Sequence, residues 1–232
     1  MEYFFYDHTY FIYIVPALII SMVAQLRVQS AFRKYSKIPN RRNLTGAEAA
    51  RQVLRFHDIT DVPIQPIGGQ LTDHYDPRNN SISLSEPVYD NASIAAVGVA
   101  AHEAGHAVQY DRGYFPVKVR TFMVPVVNFS SRMGIPLVVV GMFMPVQYEF
   151  IIYAGIAMYS MAVVFSILTL PVELNASARA ISALDRSGML TEEELRGASK
   201  VLRAAALTYV AAAFAAILSL LRLLAIMGNR RR

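Results

Sequence analysis

Four long apolar stretches alternate with two stretches of mixed pattern, and this alternation organises the chain. Thr9 to Leu26 is an uncharged, aromatic-rich run around Pro16, long enough to cross a bilayer. Thr121 to Val146 is apolar, with Asn128, Ser130, Ser131 and Arg132 confined to its middle, and Gly134 to Val146 is its most apolar part. Phe150 to Leu170 is a cleaner span. The link Gln147-Tyr148-Glu149 is so short that the second and third runs form a hairpin, returning the chain to the side it left. Thr191-Glu192-Glu193-Glu194 is a capping box that opens a last long helix, amphipathic to Arg203 and apolar from Ala204 to Leu221.

Between these runs the pattern is that of a folded domain. Thr45-Gly46-Ala47-Glu48 caps a helix whose apolar stripe, Ala49, Ala50, Val53 and Leu54, runs to about Phe56. From Val62 to Ser85 the period shortens to that of strands, punctuated by Gly68-Gly69, Asp76-Pro77 and Asn79-Asn80, with Ile82 and Leu84 alternating against serines. These strands either offer an edge to an extended peptide or only roof the helix that follows. That helix is capped by Ser93 or Asn91 and runs to about Tyr110, where Asp111-Arg112-Gly113 ends it. Its apolar lead, Ile94 to Ala101, is too short to cross a membrane, which places the helix inside a domain. Pro171 suits the first turn of a further helix. The predicted fold is mainly α, with multi-pass membrane helices and a small α+β domain.

Composition agrees with the membrane reading: 54% of residues are hydrophobic and only 17% charged, too apolar for an ordinary soluble domain. The net charge of +5 fits loops facing anionic lipid and setting orientation better than it fits nucleic-acid binding. Glu2 and Asp7 precede the first span, whereas Arg27, Arg33, Lys34, Lys37, Arg41 and Arg42 follow it, which puts the N-terminus outside and the next segment in the cytoplasm. By the same rule a last helix that spans would leave Arg230-Arg231-Arg232 on the unfavoured side, so a re-entrant or surface-lying helix is the alternative. Arg222 on that helix snorkels or pairs with a buried partner. The absence of cysteine excludes disulfides, thiol catalysis and thiolate-bound zinc.

The candidate chemistry sits in His102-Glu103-Ala104-Gly105-His106, an HExxH sequence within the apolar helix. Residues four apart share one helix face, so His102 and His106 can present two imidazole nitrogens to one zinc ion while Glu103 lies beside it. Zinc takes neutral imidazole at about 2.0–2.1 Å, and a catalytic site adds a third protein ligand and leaves one position to water. Glu103 is then the general base. Glu173, which emerges at the membrane surface on the same side as the HExxH helix, is the expected third ligand. Asp73, Asp76, Glu86 and Asp90 compete for that role but lie in turns or near helix starts, where acids act as caps. Asp185 lacks the following glycine of the aspartate motif in intramembrane proteases. Arg179, on the helix of Glu173, is the first candidate for stabilising an oxyanion, followed by His74 and Tyr75 beside the expected edge strand. His8 and His57 are read as surface residues.

Together, His102 to Gln109, Leu71-Thr72-Asp73-His74-Tyr75-Asp76-Pro77, Leu84-Ser85-Glu86 and Pro171-Val172-Glu173-Leu174-Asn175-Ala176-Ser177 resemble the bacterial membrane-bound neutral zinc metallopeptidases. The resemblance implies a gluzincin-like peptidase, similar in plan to membrane proteases of the heat-shock and CAAX-processing type. Relatives of that type place an acidic residue four positions after the ligand glutamate to orient a ligand histidine; this chain has the uncharged Ser177 there. The expected division is a transmembrane anchor over 1–26, a cytoplasmic zincin-like domain over 27–120 and a transmembrane hairpin over 121–170. Third-ligand helices at the membrane surface over 171–203 and a transmembrane or re-entrant helix over 204–232 complete it. The expected activity is zinc-dependent peptide-bond hydrolysis with one Zn2+ per chain, in the bacterial plasma membrane with the site on the cytoplasmic side. The partners are the lipid bilayer, a peptide or protein substrate and membrane proteins whose identity the sequence leaves open. Two other readings exist: a zinc-binding membrane scaffold without hydrolysis, against which the intact Glu103 argues, and intramembrane proteolysis, which requires His102 and His106 at membrane depth.

Overall fold

The computed structural model describes residues 8–230; Glu2, Asp7, Arg231 and Arg232, which entered the charge argument above, lie outside the described residues. The chain separates into two compact units: one formed by Gln25–Lys118 and Pro171–Leu207, the other by Val119–Leu170, Thr208–Arg232 and the stretch ending at Ala24.

In the first unit, α2 (Gly46–Phe56) begins at the expected capping box: the Thr45 hydroxyl accepts from the Glu48 backbone N–H and the Glu48 carboxylate accepts from the Thr45 N–H. Three short strands follow, β1 (Ile64–Ile67), β2 (His74–Asp76) and β3 (Ser81–Ser85), in the spatial order β1-β3-β2. β3 is central and wholly buried; β1 runs parallel to it with Ile64 opposite Ile82, and β2 antiparallel with His74 opposite Ser83. Pro66 is tolerated because β1 is an edge, where a missing N–H costs no ladder bond. After the short α3 (Glu86–Tyr89), α4 (Ile94–Asp111) carries the HExxH sequence. Its N-cap is Ser93, whose hydroxyl accepts from the Ala96 N–H at 3.2 Å. Buried Asn40 donates to the carbonyls of Leu44 and Ala92 and accepts from the Leu44 N–H, tying the entry of α2 to the entry of α4. α4 packs on α2, α3, β2 and β3. The resulting core includes Val53, Ile82, Leu84, Val97, Ala101 and Leu184, all nearly inaccessible to solvent.

In the second unit lie the apolar lengths of α1 (Val15–Tyr35), α5 (Phe115–Phe143), α6 (Phe150–Arg186) and α7 (Glu192–Arg230). All four helices are long and apolar enough to cross a membrane. α5 and α6 form the expected hairpin through a tight turn over Val146–Tyr148. They meet through glycines: a Cβ on Gly155 would lie 2.6 Å from the Gly134 carbonyl oxygen, so only hydrogen lets the backbones come this close.

One expectation changes, and the readings of α7 and Arg222 become more definite. Pro171 does not start a helix; α6 runs through it without a break. A proline removes one backbone bond and crowds the carbonyl four residues back, but Val172 and Glu173 just after it are buried, and that packing carries the helix through. Pro125 and Pro136 likewise lie inside α5. α7 is a single uninterrupted helix of 39 residues. Arg222 on α7 pairs rather than snorkels: its Nε lies 3.4 Å from Thr9 Oγ1 and its guanidinium sits over the Tyr10 ring at 5.4 Å.

Candidate metal centre

His102 and His106 project from the same face of α4, their rings edge to face with centroids 4.7 Å apart. Opposite them α6 brings Glu173, which is 2% exposed. Its Oε2 lies 3.3 Å from His102 Nε2 and 3.4 Å from His106 Nε2. One donor atom from each of the three residues falls within 4.8 Å of the others. Two imidazole nitrogens and one carboxylate oxygen converging on a point form a set suited to zinc, and the group is able to hold a metal ion.

The approach of α6 to α4 depends on Gly105, the residue before His106. A Cβ there would lie 2.5 Å from the Ala176 carbonyl oxygen, a distance no side chain accepts. Glycine in a helix interior costs about 1 kcal/mol relative to alanine. Here it allows Glu173, on the facing helix, to reach the two histidines. Glu103, between them in sequence, is itself buried at 8% exposure.

Both imidazoles are held from behind. Ser177 Oγ lies 3.1 Å from His102 Nδ1, so the hydroxyl occupies the position where the resemblance led us to look for an acid. Gln109 Oε1 lies 3.0 Å from His106 Nδ1. The sequence assigns no role to Gln109; it shows only an amide one turn beyond His106 in a largely apolar helix, and the structure buries that amide fully. With Nδ1 bonded in both rings, Nε2 is the nitrogen directed at the convergence point. For His106, burial opposes the protonated form. The hydrogen bond to Glu173, the charges of Glu103 and Glu173, and Gln109 outweigh it, and the pKa lies above its ordinary value.

Two of the competing carboxylates, Asp73 and Asp76, are engaged elsewhere. Asp73 accepts from the backbone N–H and hydroxyl of Ser85, and Asp76 accepts from the Arg78 N–H and the Asn79 amide in the β2–β3 turn. Arg179 donates from Nε to Asn175 Oδ1 at 2.8 Å and lies over the Tyr114 ring. His74 is exposed on β2 with Nδ1 2.8 Å from the Thr72 carbonyl oxygen. Tyr75, on the same strand, stacks at 5.4 Å on Tyr110 of α4 and bonds Asn80; burial, then the nearby Tyr110 and acidic groups, push its hydroxyl up to about 12. His8 is exposed as expected, but His57 is only partly so: its Nε2 is buried without a hydrogen-bond partner. Burial, followed by the charges of Arg112, Arg179 and Arg186, lowers its pKa.

No solved structure matches the chain. It is 45% identical over 217 residues to the "Putative membrane protease YugP" of Bacillus subtilis (strain 168), an alignment covering 94% of this chain and 96% of that protein. Residues 10–228, which include every side chain of the centre, match the family described as "Putative neutral zinc metallopeptidase", and the chain belongs to that family.

Proposed function

We propose that this protein is a membrane-embedded zinc metalloendopeptidase. The observation that carries the reading is the convergence of His102 Nε2, His106 Nε2 and Glu173 Oε2 beside a buried Glu103. His102, His106 and Glu173 would hold one zinc ion. When bound, zinc supplies Lewis acidity, polarising a peptide carbonyl and making water a stronger acid. Glu103 takes a proton from the attacking water and returns it to the departing amine, a transfer that contributes about 10²–10⁴ in rate. Ser177 and Gln109 keep the two imidazoles aimed. The tetrahedral species needs a donor for its oxyanion. Arg179, whose Nε is committed to Asn175 but whose two terminal nitrogens extend beyond it, is the first candidate and His74 the second.

The substrate peptide binds in extended form along β2. The strand order supports this, since β2 is outermost in the sheet, and so does the contact of Tyr75 with Tyr110 on the HExxH helix. The apolar helices and the basic residues Arg27, Arg33, Lys34, Lys37, Arg41 and Arg42 that follow the first of them support a bacterial plasma-membrane location with the site on the cytoplasmic side.

The test is elemental analysis of detergent-purified protein, with peptide cleavage measured in parallel. Wild type holds about one zinc per chain and cleaves, Glu173→Ala loses the metal, and Glu103→Gln keeps the metal but does not cleave. Zinc retained in Glu173→Ala would move the third ligand to another residue.

A further inference from the structure

A line of polar side chains runs away from the metal centre through an otherwise apolar interior. His106 Nδ1 meets Gln109 Oε1 at 3.0 Å; Gln109 Nε2 meets the Val172 carbonyl oxygen at 2.8 Å and Asn175 Oδ1 at 3.0 Å; and Asn175 Oδ1 meets Arg179 Nε at 2.8 Å. We propose that Gln109, Asn175 and Arg179 form a hydrogen-bond relay of fixed sense, with Gln109 and Arg179 both donating to Asn175 Oδ1, that fixes the tautomer of His106 and so positions its Nε2 lone pair for zinc. The proposal rests on the zinc-site reading above and adds three positioning residues to it.

The polarity of the line follows from its fixed ends. A guanidinium can only donate, so the Asn175 atom facing Arg179 is the oxygen. A backbone carbonyl can only accept, so the Gln109 atom facing Val172 is the amide nitrogen, and the same nitrogen donates to Asn175. Turning either amide over would set oxygen against oxygen or N–H against N–H, at the fully buried Gln109 or the half-buried Asn175, and an unmade hydrogen bond costs about 1–3 kcal/mol where it is buried. Gln109 Oε1 is therefore left for His106 and can only accept. His106 must carry its proton on Nδ1, which leaves Nε2 unprotonated in the neutral ring. His102 has no such constraint, because the Ser177 hydroxyl rotates and serves either tautomer. The two ligand histidines are thus held differently: one by a rotor, the other by a chain of fixed sense anchored on a cation that is itself braced against Tyr114.

The fixed sense makes one substitution benign and a similar one damaging. Aspartate at 175 presents an oxygen to both donors and preserves the relay; leucine at 175 removes the acceptor that Arg179 and Gln109 share and leaves the Gln109 amide held by the Val172 carbonyl alone. The experiment measures zinc affinity of the full-length chain in detergent by competition with a chromophoric chelator. Wild type, Asn175→Asp, Asn175→Leu and Gln109→Met are compared, together with the thermal midpoint of each metal-free form. Asn175→Leu and Gln109→Met weaken zinc binding about 10–100-fold while Asn175→Asp stays within about threefold of wild type. The metal-free midpoint of Asn175→Leu does not account for its loss. The relay is overturned if Asn175→Leu binds zinc as wild type does, or if Asn175→Asp is as weak as Asn175→Leu. Should Gln109→Met fail to fold, the pair at 175 still decides. A wild type that binds no zinc overturns the zinc-site reading itself, a result distinct from a wild type that binds while the variants fail to differ.

Discussion

α4 and α5 are both strongly apolar helices, and they use that property in opposite ways. Along α4 nearly every side chain from Ile94 to Gln109 is buried, and the residues are small: Ala95, Ala96, Ala100, Ala101, Ala104 and Ala107 among them. Along α5 the large residues face outward, with Phe122 at 79% and Phe143 at 81% exposure. Small side chains let a helix be surrounded by other protein, with backbones close and polar groups held in place. Large outward-facing ones suit a solvent of lipid tails, in which exposure of an apolar surface costs nothing. Side-chain size, more than hydrophobicity, separates the helix that carries chemistry from the helix that carries the membrane.

The substitution with the largest expected effect tests whether α4 has this chemical role. Glu103→Gln should lower peptide hydrolysis about 10²–10⁴-fold with zinc content unchanged; an active variant would reduce α4 to a packing element. Next, Gly105→Ala should destabilise the fold by about 1–3 kcal/mol through the clash with Ala176, read as a lower thermal midpoint and weaker zinc binding. If it is tolerated, the tightness claimed for α4 is wrong. Thr45→Ala, which removes the N-cap of a helix packed on α4, should cost about 1 kcal/mol by denaturant or thermal unfolding. That effect depends on pH. The Glu48 carboxyl is held below its ordinary range by the Thr45 backbone N–H and then by the Thr45 hydroxyl. Its contribution is present above the ordinary glutamate pKa and is lost as pH falls through the lowered folded value, so the penalty of Thr45→Ala should shrink in acid. Smallest of all, Phe122→Leu on the outer face of α5 should leave the thermal midpoint in detergent unchanged within about 0.5 kcal/mol. A loss comparable with that of Gly105→Ala would mean that Phe122 is covered by a partner rather than by lipid.

What could be read from the sequence was whatever depends on neighbours along the chain. The capping boxes at Thr45 and Thr191, the Ser93 cap and the shared face of His102 and His106 are all set within one or two helical turns. Glu173 was legible because a short hairpin link makes the chain return. Pro171 misled because its local preference for a helix start yields to the packing of the residues just after it, Val172 and Glu173, which are buried and carry the helix through. The role of Gln109 was hidden for a different reason: it depends on which carbonyl of α6 faces it, Val172 rather than a neighbour, and that register is set by packing between segments 63 residues apart. The lowered pKa of His57 likewise follows from burial and from arginines that only the fold brings near it.

The contact between Gly105 and the Ala176 carbonyl also changes what the HExxH pattern means in this scaffold. In pattern notation the two middle positions are wildcards. In this molecule the second of them is fixed by steric exclusion, and the permitted vocabulary at 105 has one word. A transplant of an HExxH helix from another scaffold, with both histidines and the glutamate in register, would hold α6 off and leave Glu173 short of the two histidines unless it also carried glycine at that position.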